Sequence, residues 1–171
     1  MLHINGHTPG AKLANIQQID KFAITREHLA TLWKDFNTAD LKVDLVAIGS
    51  PHASLSECQN FVKFFDDKSC SPNVKTIITI GRDVLSQVKE EGILEELKRA
   101  GVQVISDICW CSITDPIFPH NTSVIMTNSG KYAHYANGLT GRKTRFGSLE
   151  DCAKTAQSGF ARSDLPEWLK N

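Results

Sequence analysis

The stretch Val43-Asp44-Leu45-Val46-Ala47-Ile48-Gly49-Ser50-Pro51-His52-Ala53-Ser54-Leu55-Ser56-Glu57 holds the pattern that decides the fold. Val43 to Ile48 is mostly apolar, as in a strand buried on both faces. Gly49 to His52 ends it. Ser54-Leu55-Ser56-Glu57 has the spacing of a capping box and opens a helix carrying Phe61, Val62, Phe64 and Phe65. A buried strand, a polar turn and a capped helix make half of a βαβ unit.

The alternation continues on both sides. Val74 to Ile80 reads as a second strand, ending at Gly81-Arg82-Asp83. Two helical stretches follow, one with Val84, Leu85 and Val88, the other with Ile93, Leu94 and Leu97; Gly92 separates them and Gly101 stops the second. Val102 to Ile105 is the third strand, ending at Asp107-Ile108-Cys109. A loop over 110–122 holds Pro116 and Pro119, and Ser123 to Met126 is the fourth strand. The segment from there to Gly147 is glycine-rich. Ser148-Leu149-Glu150-Asp151 starts another helix, with Cys152, Ala153 and Ala156 on one face. Upstream, residues 1–24 are irregular, with turns at Asn5-Gly6 and Pro9-Gly10. Thr25 caps a helix with Leu29, Leu32, Trp33 and Phe36 at helical spacing.

Strands alternating with helices predict a single α/β domain over 1–171, a parallel β-sheet with crossover helices on its faces. In a parallel sheet the four strand ends, Ser50-Pro51-His52, Gly81-Arg82-Asp83, Asp107-Ile108-Cys109 and Thr127-Asn128-Ser129, share one edge. Open α/β sheets bind ligands at that edge. The densest chemistry there is Thr127-Asn128-Ser129-Gly130-Lys131-Tyr132-Ala133-His134-Tyr135: hydroxyl, amide, ammonium and imidazole around a glycine that lets backbone approach a ligand.

Composition excludes several classes. The chain has 171 residues, 41% hydrophobic and 22% charged, with 19 basic and 19 acidic side chains. Zero formal net charge gives no footprint for a nucleic acid. The apolar runs are too short to span a membrane. Five cysteines, an odd count, without a secretory signal predict reduced thiols and a cytoplasmic location. His3 and His7 stand at i, i+4, but the turn signal between them speaks against a two-histidine metal site.

Five segments in order, His3–Pro9, Val43–Glu57, Asp107-Ile108-Cys109, Thr127–Tyr135 and Phe146–Cys152, resemble the C-terminal part of the large catalytic component of aconitase X, a dehydratase branch of the aconitase superfamily. The resemblance implies an aconitase-type C-terminal α/β domain. It implies a hydro-lyase eliminating water from a hydroxy acid such as cis-3-hydroxy-L-proline or mevalonate 5-phosphate, with iron or an iron–sulfur cluster as Lewis acid and a base removing a C–H proton. The family's component is much longer. The expectation is therefore a truncated domain acting with an upstream catalytic portion and a small swivelling domain on other chains, and exposing apolar surface that favours a homo-oligomer.

Each candidate residue has two readings. Cys109 is a small buried thiol by residue type and a metal ligand by resemblance. Ser50 stands where many family members carry a cysteine ligand, and a hydroxyl matches iron–sulfur poorly. Either the iron site differs or the cluster is lost; a third ligand is expected upstream, so the metal site is incomplete on this chain. Cys111 could substitute only in an unusual Cys-x-Cys geometry. His52 is a proton shuttle or a bond to its own turn; Glu57 reads as the capping partner of Ser54. Ser129 is a base or substrate donor, Lys131 a carboxylate anchor and Asn128 a substrate amide; alternatively Asn128 or Ser129 caps a helix and Lys131 is solvated. His134 and Tyr135 read as packing and supporting groups. The rival to catalysis is a non-catalytic remnant or ligand-binding module.

Overall fold

The computed structural model describes residues 4, 6–10, 22–112 and 118–170. His3, Asn5 and the loop positions 113–117, which include Pro116, lie outside them. The described strands are β1 (Leu45–Ala53), β2 (Lys75–Ile80), β3 (Val102–Ser106), β4 (Val124–Thr127) and β5 (Lys143–Phe146). The helices are α1 (Arg26–Asp35), α2 (Leu55–Phe65), α3 (Arg82–Glu90), α4 (Ile93–Arg99), α5 (Gly130–Thr140) and α6 (Leu149–Ser158).

All strand pairs are parallel, in the order β3-β2-β1-β4-β5. The α/β class is as the sequence predicts. The central strands alternate between two apolar layers, as period-2 geometry requires. Val46, Ile48, Ile78, Ile80, Val124 and Met126 face a large layer shared with α2, α4 and α6. Leu45, Ala47, Ile77 and Ile125 face a smaller one made by Tyr132 and Ala136 of α5 and by Trp110, Cys111 and Phe118. The described parts of the β3–β4 connection, a short 3₁₀ helix (Trp110–Ser112) and Phe118, thus cover one face of the sheet. Trp110 is fully buried, 4.3 Å from Tyr132 between ring centroids.

Helix starts follow the sequence signals. Thr25, Ser54 and Ser148 each cap a helix in a complete capping box, with His28, Glu57 and Asp151 as reciprocal partners. Gly92, at φ 76°, separates α3 from α4. Three features differ from expectation. β1 runs on to Ala53, because pairing with β2 resumes at Ala53–Ile80 after the Gly49–His52 excursion. The glycine-rich stretch before Gly147 holds α5 and β5. β5 escapes an apolar-run criterion because Lys143-Thr144-Arg145-Phe146 has one hydrophobic residue and buries Arg145.

Two devices hold the sheet laterally. Asp44 Oδ2 accepts from Ser123 N, Ser123 Oγ and Val124 N, all at 2.9 Å, tying the entry of β1 to that of β4. At the other edge Asn37 acts as a surrogate strand. Its Oδ1 accepts from Phe146 N at 2.9 Å and its Nδ2 donates to Phe146 O at 3.1 Å. Trp33 and Phe36 pack edge-on against the Phe146 ring and dock α1 there.

Two stability outcomes follow from this packing. Trp110→Ala is expected to cost about 3–5 kcal/mol in urea unfolding. Trp110→Phe should cost far less, because the indole N–H it removes has no hydrogen-bond partner among the described residues; equal losses would contradict this account. The Asp44 carboxyl is pushed up by burial, but hydrogen bonds from Val124 and Ser123 and the Lys42 charge outweigh that and hold it below its ordinary value. A depressed folded pKa gives stability that is present above the unfolded pKa and lost as pH falls through the folded one. Asp44→Asn should therefore flatten the loss of stability below about pH 4, read from unfolding midpoints across an acid series.

Candidate functional site

Strand order reverses between β1 and β4, where crossovers leave in opposite directions and a crevice opens at the strands' C-terminal ends. Gly49 makes the turn at the end of the straight part of β1. Its φ is 85°, and a Cβ there would overlap the Thr79 carbonyl and stand 2.7 Å from Ala53 N. Thr79 Oγ1 lies 2.6 Å from Gly49 O and 2.7 Å from Pro51 O, fixing the excursion that presents Ser50. The Ser50–Pro51 peptide is cis.

Ser50 Oγ lies 2.7 Å from Cys111 Sγ. Burial pushes the Cys111 thiol up, the Ser50 hydroxyl pulls it back, neighbouring Cys109 pushes it up again, and the Lys131 charge opposes; the result is above the ordinary thiol value. Ser50, Cys109, Cys111 and Lys131 therefore share one neighbourhood. Cys111, not Cys109, is the thiol bonded to Ser50. Nothing in the spacing of residues 61 positions apart signals that pair; it arises because buried Trp110 pins the loop over the sheet.

The other candidates divide. Ser129 is the N-cap of α5, its Oγ accepting from Tyr132 N at 3.2 Å, while its own N–H donates to Thr127 Oγ1 at 3.1 Å. Its hydroxyl hydrogen is not consumed by the cap. Asn128 Nδ2 donates to Glu57 Oε1 at 3.4 Å, linking the end of β4 to the first turn of α2. Glu57 is the capping partner the sequence suggests, with this second contact added. His52 is exposed and turned towards β2: its Nδ1 is 3.8 Å from where a Cβ on Gly81 would sit. Its charge acts on Asp107. Asp107, at φ 60°, caps α3 from the end of β3, Oδ1 accepting from Arg82 N at 3.0 Å and Oδ2 from Arg82 Nε at 2.9 Å. The hydrogen bond from the Arg82 side chain, with its backbone N–H, its charge and that of His52, holds the carboxyl below the ordinary range against the opposing effect of desolvation. His134 stacks edge-on with Tyr135 and with Phe36.

Beside Asn128 and Gly130 lies an apolar groove of about 560 Å³, walled by Leu29, Leu32, Trp33, Phe146 and Trp168. Gly147 forms part of it, where a Cβ would come within 2.6 Å of Met126 Cε.

As a metal site the thiol pair is partial. Cys109 and Cys111 offer soft donors and Ser50 a hard one. Among the described residues no group of three or more His, Cys, Asp and Glu stands together as a cation site. The described residues do not by themselves fit a closed iron or iron–sulfur centre. Cys58, Cys70 and Cys152 lie away from the crevice as free thiols, and burial pushes Cys58 up to about 11, with the Glu57 charge adding to it.

An open parallel sheet with a strand-order reversal, and with thiol, hydroxyl, amide and ammonium groups at its strand ends, places the chain among α/β domains of the doubly wound kind. Residues 43–158 match the family model of the aconitase X third domain. The chain belongs to the aconitase X family. It is 35% identical to the cis-3-hydroxy-L-proline dehydratase of Hypocrea jecorina, over all of this chain and 30% of that protein. It is 37% identical to the Pseudomonas aeruginosa cis-3-hydroxy-L-proline dehydratase, over 99% of this chain and 30% of that one. It is 26% identical to the phosphomevalonate dehydratase large subunit of Methanosarcina mazei, over 95% and 38%. The crystal structure of holo-form aconitase X from Thermococcus kodakaraensis superposes with a TM-score of 0.74 at 26% identity, over 88% of this chain and 38% of that one. The chain thus spans about a third of the length of these relatives. No helix among its described residues is long and apolar enough to cross a membrane.

The burial pattern sets thiol reactivity. At pH 8 a thiol of pKa about 11 is ionised to roughly one part in 10³. Iodoacetamide should alkylate half-buried Cys109 ahead of Cys58, Cys111 and Cys152, read by peptide mass spectrometry over time. Uniform labelling of the folded chain would contradict the packing of the Trp110 loop.

Proposed function

We propose that this chain forms one wall of a hydro-lyase site that dehydrates a small hydroxy acid, with cis-3-hydroxy-L-proline as the substrate class. The observation that carries this is the convergence of Ser50, Cys111, Cys109 and Lys131 at the strand-order reversal. The higher identity to the two cis-3-hydroxy-L-proline dehydratases than to the phosphomevalonate dehydratase subunit favours the proline substrate. Lys131 is exposed at the start of α5, where an ammonium can take a substrate carboxylate. Asn128 and the free hydroxyl hydrogen of Ser129 complete the polar contacts, and Ser50 lines the opposite side. His52 would exchange protons from the β2 side. Cys109 and Cys111 are the soft donors this chain would add to an iron centre whose other ligands come from outside it. The upstream catalytic portion and a small swivelling domain are the partners in this proposal. The groove beside α1, with Leu29, Leu32 and Trp168 partly exposed, is apolar surface that also favours self-association.

The test is reconstitution with the complementary portions of an aconitase X enzyme and an assay of both named substrates. Loss of water from cis-3-hydroxy-L-proline, with mevalonate 5-phosphate left intact, is the expected result. Lys131→Met should lower kcat/KM by roughly 10- to 100-fold, the worth of a charge-assisted hydrogen bond. A well-folded assembly inert towards both would support the second reading, a ligand-binding module without chemistry. Two observations favour that reading: Ser50 satisfies Cys111 where the family often has a cysteine, and the Ser129 oxygen serves as a helix cap.

A further inference from the structure

Asn128 has an orientation that its neighbours dictate. Glu57 Oε2 accepts from the backbone N and the hydroxyl of Ser54, both at 2.9 Å. Glu57 Oε1 is left facing Asn128 Nδ2 at 3.4 Å. An ionised carboxylate can only accept hydrogen bonds, so the side of the Asn128 amide that meets it must be the NH₂ group. The carbonyl Oδ1 is then directed away from Glu57. Asn128 is half-buried at the end of β4, and among the described residues no donor is bonded to that oxygen.

Asn128 lines the groove beside α1 at the strand-end edge, and an acceptor there calls for a donor on the ligand. Three positions along, at the start of α5, Lys131 provides a cation. An acceptor and a cation together match a zwitterionic α-amino or α-imino acid, whose ammonium and carboxylate sit on neighbouring atoms. They match a phosphorylated hydroxy acid less well, since it offers that oxygen only a neutral hydroxyl donor in place of a charged one. We propose that Glu57 is a positioning residue that turns Asn128 into an acceptor for the ring ammonium of an imino acid, and so selects that substrate class. This inference rests on the proline reading above and assigns the residue that enforces it.

Two substitutions separate orientation from helix capping. In Glu57→Gln the amide oxygen can keep Ser54, but the NH₂ group then meets Asn128 and forces its amide to flip. In Glu57→Asp the cap survives, as it does with Asp151 beneath Ser148 on α6, but the carboxylate is too short to reach Asn128. The probes are L-proline and tetrahydrofuran-2-carboxylate, in which a ring oxygen replaces the ring nitrogen, titrated into the chain and followed by NMR.

Wild type should bind L-proline about 10-fold or more tighter than the oxygen analogue, as expected for a charge-assisted bond. Glu57→Gln should bring that ratio to one or below and shift the Asn128 side-chain amide resonance. Glu57→Asp should relax the ratio part of the way. A Glu57→Gln protein with a well-dispersed spectrum, an unmoved Asn128 amide and an unchanged ratio would overturn the proposal. If wild type binds neither probe while the Asn128 amide shifts in Glu57→Gln, the orientation by Glu57 is supported and the proline reading falls.

Discussion

The contact between β1 and β4 is the constraint on which the site depends. Only Leu45–Ile125 and Val46–Met126 pair across it, whereas β2 and β3 pair at five positions. The three donors converging on Asp44 reinforce this short seam at its N-terminal end. Beyond Val46 the strands are free to part, and Gly49 turns β1 away towards β2. A longer ladder would have closed the gap in which Ser50 and Cys111 lie. The crevice is thus a product of incomplete pairing, tolerated because both apolar layers continue beneath it.

The second layer also explains why the thiols are where they are. A crossover helix would have covered that face with a regular surface. Here the β3–β4 connection does so through Trp110 and Phe118. Cys109 and Cys111 flank the anchor, so the residue that packs the sheet also places both thiols over the strand ends. Thiol placement and stability share one tryptophan at this point.

Much of this was legible in the sequence. The strands β1 to β4 are legible as apolar runs, and three helix starts as a serine or threonine at the cap; of their capping boxes only Ser54–Glu57 is legible, the partners His28 and Asp151 emerging from the structure. β5 is not: it is short, polar by residue type, and buries an arginine whose guanidinium bonds the Asn37 and Arg162 carbonyls. α5 was obscured because Gly130 and Gly138 lower its helix propensity, although Ser129 carried the capping signal. The edge on which the candidate residues gather follows from parallel topology and could be inferred. Their pairwise arrangement could not, because Ser50–Cys111 and Glu57–Asn128 join positions 61 and 71 apart through tertiary packing. Similarly, the single Glu57 side chain serves both a local cap, which spacing reveals, and a distant amide, which it does not.

Asn37 deserves a last consideration as a boundary rather than a fastener. By occupying both the N–H and the C=O of Phe146, its amide supplies the hydrogen bonds that an additional strand would seek. The end of β5 is thereby blunted against strand addition, a route by which exposed sheet edges pair and aggregate. Beside it the surface is the aromatic wall of α1 and Trp168, which offers side chains to a neighbour. A single asparagine so biases this flank towards packing and away from extension of the sheet.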